Sequence, residues 1–279
     1  MAVQAITPEL RQWIVQQAAS GLGAQQVLES MLASGWNEEV AIAAMEDSLK
    51  EHLQAQGMPL PVAVPEPMPE GAGSVLDAGD RKVQVIASMR EPRVLVLADL
   101  ASPEECRALI ELARPRLARS LTVAVDDGSE KQHVDRTSNG MFFTRGETAL
   151  VRRLEERMAR LLGWPVQNGE GLQVLQYLPG AQYKPHHDYF EPSEPGTPTL
   201  VARGGQRVAT LILYLNEPER GGATIFPDAR LDVLPKQGHA VFFSYDRPHA
   251  STRSLHGGAP VIEGEKWIAT KWLREREYV

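Results

Sequence analysis

The chain has little of what would place it in several common classes. Cys106 is the only cysteine in 279 residues. That excludes an intramolecular disulfide and a CxxC redox pair, and fits a reducing compartment. Its setting, Pro103-Glu-Glu-Cys-Arg-Ala-Leu-Ile, predicts a buried helical position with no catalytic context. No apolar run approaches the length of a membrane span, so no membrane association is expected. The opening MAVQAITPELRQW has neither the basic stretch nor the apolar core of a secretory leader, and a cytoplasmic location is expected. There is also no basic block of the kind that grips phosphate backbones, so nucleic acid is not an expected partner.

What charge there is runs acidic and is unevenly placed. The formal charge is -7, with -5 in residues 1–52, -4 in 53–80, and about +2 from Arg81 onward. The acidic part reads as solvated surface. With 43% hydrophobic residues, the chain can bury one substantial core and a small second one.

Three segments follow from local pattern. Residues 1–52 read as three short helices. Thr7 and Pro8 open the first, Gly21-Leu-Gly23 breaks it, Gly35 ends the second, and Asn37 caps the third. The stretch GLGAQQVLESMLASGWNEEVAIAAM resembles a ubiquitin-associated three-helix bundle, and the reading adopted is a docking module for a protein partner. Residues 53–80 are acidic and include five prolines and three glycines between 57 and 74, which predicts a semi-rigid, extended linker. Residues 81–279 form the remaining domain. There Val83, Val85, Val94 and Val96 alternate like strands, and Ser102-Pro-Glu-Glu opens a helix with capping-box spacing. A second helix is expected over about 146–162. Short strand runs follow at 172–178, 182–189, 206–215, 222–226, 239–244, 253–256 and 266–273. Helices first and many short strands after predict an α+β fold whose closed or sandwich-like β core is buttressed by helices.

Chemistry concentrates in four residues. His186 and Asp188 are one residue apart, so on extended backbone both side chains point the same way while His187 faces the other. His256 follows Asp188 by 68 residues, and Lys266 follows His256 by ten. Two imidazoles and one carboxylate can fill one face of an octahedral Fe(II), leaving three positions open for a cosubstrate and O2. Period two puts Lys266, Ile268, Thr270 and Trp272 on one face of the last strand. If that face lines the core, Lys266 is a buried cation that needs an anion, and the distal carboxylate of 2-oxoglutarate would serve. Lys271 falls on the opposite face and is expected to be exposed. His249 competes for the third ligand, but position 259, ten residues on, is alanine, which favours His256. His133 and His239 have no partner at ligand spacing and read as structural. Gly221-Gly222 is a tight turn rather than a phosphate loop, because no helix start or Lys-Ser/Thr follows.

The ordered stretches LQVLQYLPGAQYKPHHDYF (172–190), RVATLILYLNEPERGGATIFP (207–227), PKQGHAVFFSYD (235–246) and SLHGGAPVIEGEKWIATKWLRE (254–275) resemble the prolyl 4-hydroxylase alpha-subunit type of Fe(II)/2-oxoglutarate dioxygenase. The resemblance implies a double-stranded β-helix (jelly-roll) oxygenase core, with His186, Asp188 and His256 as iron ligands and Lys266 as the 2-oxoglutarate anchor. It implies Tyr177 and Tyr214 in the cosubstrate pocket. Tyr183, Trp272 and Arg136 fall near the substrate, Arg136 beside a mobile loop at about 124–135. The implied reaction couples decarboxylation of 2-oxoglutarate to succinate and CO2 with hydroxylation of a prolyl residue at C4 by O2, in a peptide or protein, with L-ascorbate keeping the iron reduced. The alternatives are a hydroxylase of a free amino acid or other small molecule, a non-catalytic oxygenase-like binding module, and a cupin-type metal protein. The last would need a fourth protein ligand and would have no use for Lys266.

Overall fold

The structure, a computed structural model, describes residues 4–69, 71–119, 122–123, 130–131 and 137–279. It divides into two compact units, one ending at Pro61 and the other starting at Val62.

The first unit is helical: α1 (Pro8–Ala19), α2 (Ala24–Ala33) and α3 (Glu38–Ala55). Local chemistry sets its boundaries. Thr7 Oγ1 accepts from the Leu10 N–H, and Asn37 Oδ1 accepts from the Glu39 and Val40 N–H groups. Gly21 and Gly35 take φ of +86° and +85°, where a side chain would be strained, and so end α1 and α2. Ile14, Val27, Met31, Ala41, Ala44 and Met45 form its core.

The boundary expected at 53–80 is corrected. Helix α3 runs on to Ala55, and the proline-rich segment packs on the second unit from Val62 onward. The Val62 N–H donates to Asp246 O at 2.7 Å, Val64 and Met68 lie against the large core, and Glu66 pairs with Arg93. Asp80 meets the buried Arg157 at 2.7 Å. Residues 58–66 form neither helix nor strand. The segment's apolar residues gave it a surface to lie on, which composition alone does not reveal.

The second unit comprises β1 (Val75–Asp77), β2 (Lys82–Met89), β3 (Arg93–Ala98), α4 (Pro103–Ala113), β4 (Ala118–Arg119), β5 (Thr122–Val123), β6 (Glu130–Lys131), β7 (Asn139–Phe143) and α5 (Ala149–Leu162). It continues through β8 (Leu172–Tyr177), β9 (Tyr183–His186), α6 (Thr197–Ala202), β10 (Arg207–Tyr214), β11 (Arg220–Gly221), β12 (Thr224–Phe226) and β13 (Leu231–Val233). Strands β14 (Ala240–Ser244), β15 (His256–Gly258), β16 (Val261–Glu263) and β17 (Lys266–Arg274) complete it. The larger sheet has the order β1-β2-β3-β14-β10-β17-β8-β7-β4, and the smaller β13-β12-β15-β9, with every pairing antiparallel. The two sheets face each other as a double-stranded β-helix.

Strand alternation builds two cores. Leu211, Leu213, Trp267 and Ala269 point toward Cys106, Leu109 and Ile110 of α4 and Val151, Leu154 and Met158 of α5. Their strand neighbours Ile212, Tyr214 and Ile268 point between the sheets, toward Phe226, Val233 and Phe243. Cys106 is fully buried as expected, and burial pushes its thiol up to about 11, so it is not a nucleophile at neutral pH.

Lys271 is the second correction. It lies on the face opposite Lys266, as period two requires, but α5 covers that face. Lys271 is 2% exposed and its Nζ meets Glu155 Oε1 at 2.6 Å. Glu155 also accepts from the Gly146 N–H at 2.7 Å. Glu155→Ala leaves a buried ammonium without its anion and is expected to cost about 3 kcal/mol, read as a fall in Tm by calorimetry. The double variant Glu155→Leu with Lys271→Met should recover most of that loss; equal loss in both would show that packing, not charge, is at stake.

Candidate active site

Strands β9 and β15 deliver the two histidines side by side. His256 and His186 are register partners across this pair, with ring centroids 4.5 Å apart. Gly257 makes the approach possible: a Cβ there would sit 2.9 Å from the Tyr183 carbonyl oxygen. Asp188 lies just past the end of β9. Its Oδ1 is 3.6 Å from His186 Nε2 and its Oδ2 is 3.4 Å from His256 Nε2. One donor atom from each of the three residues fits within 4.8 Å, and no other such cluster occurs among the described residues.

Hydrogen bonds set which nitrogens face inward. His186 Nδ1 lies 2.8 Å from Lys184 O, and His256 Nδ1 lies 3.0 Å from Ser254 O. A carbonyl can only accept, so each Nδ1 carries the proton and each Nε2 offers a lone pair to the centre. Burial, reinforced by His256, lowers the pKa of His186. Burial alone would raise that of Asp188, but the two imidazoles outweigh it and hold the carboxyl well below the usual range. The first direction favours a neutral His186 imidazole and the second an ionised Asp188, the states in which these two groups bind a divalent cation. The donor set therefore fits Fe(II), with half of an octahedron left open.

Lys266 supplies the other end of the pocket. It begins β17 opposite Tyr177 of β8 and is 2% exposed. Nζ sits 5.5 Å from the Tyr177 ring centroid and 5.7 Å from that of Tyr214. No carboxylate pairs with it among the described residues, and burial pushes its pKa down to about 7. A buried cation with aromatic neighbours and no anion is a receptor for a carboxylate. Leu175, Tyr177, Ile212, Thr224 and Ile268 line the space around it and His186, Asp188 and His256. A dicarboxylate with one end at the histidines and the other at Lys266 fits this chemistry.

A broader groove of about 1030 Å³ opens on the same centre. Tyr183, His186, Asp188 and Trp272 belong to both spaces. Tyr183 stacks on His186 at 3.7 Å. Trp272 stands between pocket and groove under the Arg207 guanidinium, 4.0 Å from its ring, and its indole Nε1 is buried with no hydrogen-bond partner among the described residues. Phe142, 44% exposed, lies along the same wall.

Tyr177 lines the pocket. Tyr214 is fully buried behind it, its hydroxyl donating to Thr224 Oγ1 at 2.8 Å, so Thr224 presents the pocket surface there. His187 is not part of the ligand cluster; it stacks on Tyr189 at 4.6 Å and lines the broader groove. His249 caps a short turn, accepting the Ser251 N–H, and His239 lies near Gln237 O. Arg136, His133 and most of the loop 124–135 lie outside the described residues.

Sequence reasoning missed the supports behind the ligands. Thr210 Oγ1 donates to Asp188 Oδ2 at 2.7 Å and is 2.9 Å from Tyr245 Oη. Glu170 is clamped by Arg207 at 2.7 Å and Arg274 at 2.9 Å, and Arg207 reaches the Asp188 carbonyl at 3.5 Å. One signal was available: Thr210 is a lone polar residue on the inward face of an otherwise apolar strand.

Comparison with known proteins agrees with this geometry. The family model of the 2OG-Fe(II) oxygenase superfamily matches residues 172–274. Probable prolyl 4-hydroxylase 8 of Arabidopsis thaliana is 41% identical over 221 residues, covering 72% of this chain and 74% of that protein. Prolyl 4-hydroxylase 5 of the same plant is 41% identical over the same length. The viral collagen prolyl hydroxylase of Paramecium Bursaria Chlorella virus-1, solved as its 2OG complex, is 28% identical with a TM-score of 0.51; the match covers 65% of this chain and 95% of that one. With this sequence identity, this coverage and a site of this composition, the chain belongs to the prolyl 4-hydroxylase family of 2OG-Fe(II) oxygenases and is a 2-oxoglutarate-dependent dioxygenase.

Proposed function

We propose that the enzyme hydroxylates a prolyl residue at C4 in a peptide or protein, with His186, Asp188 and His256 holding Fe(II) and Lys266 holding the distal carboxylate of 2-oxoglutarate. The observation that carries this reading is a buried, anion-free Lys266 in the same pocket as an open-faced His-Asp-His cluster. Bound there, Fe(II) supplies the activation of O2 that couples oxidation of 2-oxoglutarate, to succinate and CO2, with insertion of one oxygen atom into a C–H bond. The protein's own residues bind, orient and exclude water. The two Nε2 atoms and the Asp188 carboxylate fix the metal, Lys266 fixes the direction of the cosubstrate, and apolar Leu175, Ile212 and Ile268 keep the pocket dry. The wide groove favours a chain-like substrate over a free amino acid, and the helical unit is read as a docking module for that protein target. Ascorbate would return oxidised iron to Fe(II).

The test offers proline-containing peptides to the enzyme with Fe(II), 2-oxoglutarate and ascorbate. One added oxygen on proline by mass spectrometry, identified as 4-hydroxyproline after hydrolysis, is the expected result. Succinate released with free amino acids but never with peptides would move the assignment to a small-molecule hydroxylase.

A further inference from the structure

We infer that Thr210, steadied by Tyr245, is a positioning residue that keeps Asp188 a one-oxygen ligand and so keeps half of the metal's coordination sphere free. The inference rests on the iron-site reading above.

Strand β10 runs Arg207-Val-Ala-Thr-Leu-Ile-Leu-Tyr214, and Val208, Ala209, Leu211, Ile212 and Leu213 are all buried. Thr210 is fully buried among them. A hydroxyl in such a strand is a liability unless both its proton and its lone pairs are used. Here they are. Thr210 Oγ1 lies 2.7 Å from Asp188 Oδ2 and 2.9 Å from Tyr245 Oη. The carboxylate can only accept, so the threonine proton points to Asp188. The tyrosine proton must then point to Thr210. The result is a one-way chain, from Tyr245 through Thr210 to Asp188 Oδ2, with no second arrangement that satisfies all three groups.

The chain acts on one oxygen only. Asp188 Oδ2 carries the bond, while Oδ1, 3.6 Å from His186 Nε2, accepts from no hydroxyl or amide among the described residues. A carboxylate turned to bind the metal through both oxygens would pull Oδ2 off Thr210 and strand two buried hydroxyls. Thr210 therefore opposes that turn. The consequence is functional: a two-oxygen aspartate would occupy one of the three positions that the cosubstrate and O2 need. From the backbone side, Arg207 reaches the Asp188 carbonyl at 3.5 Å, so the ligand is held at both ends.

Anaerobic Co(II) titration by calorimetry and visible absorption tests this without turnover. Thr210→Val keeps the shape and removes the donor. It is expected to weaken Co(II) binding about ten- to a hundredfold, the usual scale for losing a ligand's hydrogen-bond partner, and to change the Co(II) absorption spectrum. Thr210→Ser keeps the donor and should keep both properties. Tyr245→Phe should weaken binding less, and should add nothing once Thr210 is valine. A folded Thr210→Val with wild-type affinity and spectrum overturns the inference. Should that variant fail to fold, Tyr245→Phe decides, with unchanged affinity and spectrum counting against it. Two controls separate this from the underlying reading: wild type that binds no Co(II) sinks the metal site itself. Wild type that binds, with His256→Ala that does not, leaves the site standing and Thr210 alone in question.

Discussion

His256→Ala is expected to lower kcat/KM at least about a thousandfold, a loss of more than about 4 kcal/mol at the transition state. The same variant should lose the broad visible absorption that anaerobic Fe(II) and 2-oxoglutarate give when the keto acid chelates iron. The size follows from where His256 sits. It is 4% exposed, with Phe243 at 4.4 Å and Phe226 at 6.0 Å around its ring, and no other His, Cys, Asp or Glu among the described residues joins the cluster to replace its Nε2. Packing is lost along with the ligand, and His256→Gln serves as the control that keeps most of the volume. His249→Ala makes the contrast: its ring only caps the turn at Ala250–Thr252, and wild-type turnover and absorption are expected. Retained absorption in His256→Ala, or its loss in His249→Ala, would overturn the ligand assignment.

Local signals were legible in the sequence, and coverage by distant elements was not. The helix caps at Thr7, Asn37 and Ser102 were readable because the capping group and its N–H partners lie within three residues. His186 and Asp188 were readable because one intervening residue fixes their common face on extended backbone. His256 and Lys266 needed the resemblance as well, since nothing local says that β15 pairs with β9 or that β17 lies beside β8. Lys271 shows the limit. Period two placed it on the correct face, but only the fold reveals that α5 lies over that face with Glu155 in position. Thr210 and Tyr245, 35 residues apart in sequence, carried no local mark of their meeting at Asp188. Composition misled once, at 62–80, where proline and acid content suggested a semi-rigid linker while Val64 and Met68 pack against the large core.

Lys266→Met is expected to raise the concentration of 2-oxoglutarate needed for half-saturation by about a hundredfold or more, the scale of truncating one member of a buried charge pair. Metal binding should be unchanged, because the donor set is complete in His186, Asp188 and His256 without Lys266. The same lysine gives cosubstrate binding a pH dependence whose sign is fixed. Burial pushes Lys266 down to about 7 in the cosubstrate-free pocket, and an incoming carboxylate favours its charged form. Below pH 7 the ammonium is already present, so binding needs no proton. Above pH 7 the free enzyme holds a neutral amine, and binding takes up one proton. Affinity then falls by up to about tenfold per pH unit until the pKa in the complex is reached. The free enzyme shows the mirror effect. Between pH 7 and 10.5 the unfolded chain holds the proton that buried Lys266 has lost, so stability rises with pH, and saturating 2-oxoglutarate removes that rise. Calorimetry at pH 8 in two buffers of different ionisation enthalpy counts the proton directly. Lys266→Met should show no uptake and a flat profile, and Lys266→Arg, charged throughout, should be flat as well. Wild type that binds 2-oxoglutarate at pH 8 without proton uptake would mean that the Lys266 charge survives burial before the cosubstrate arrives.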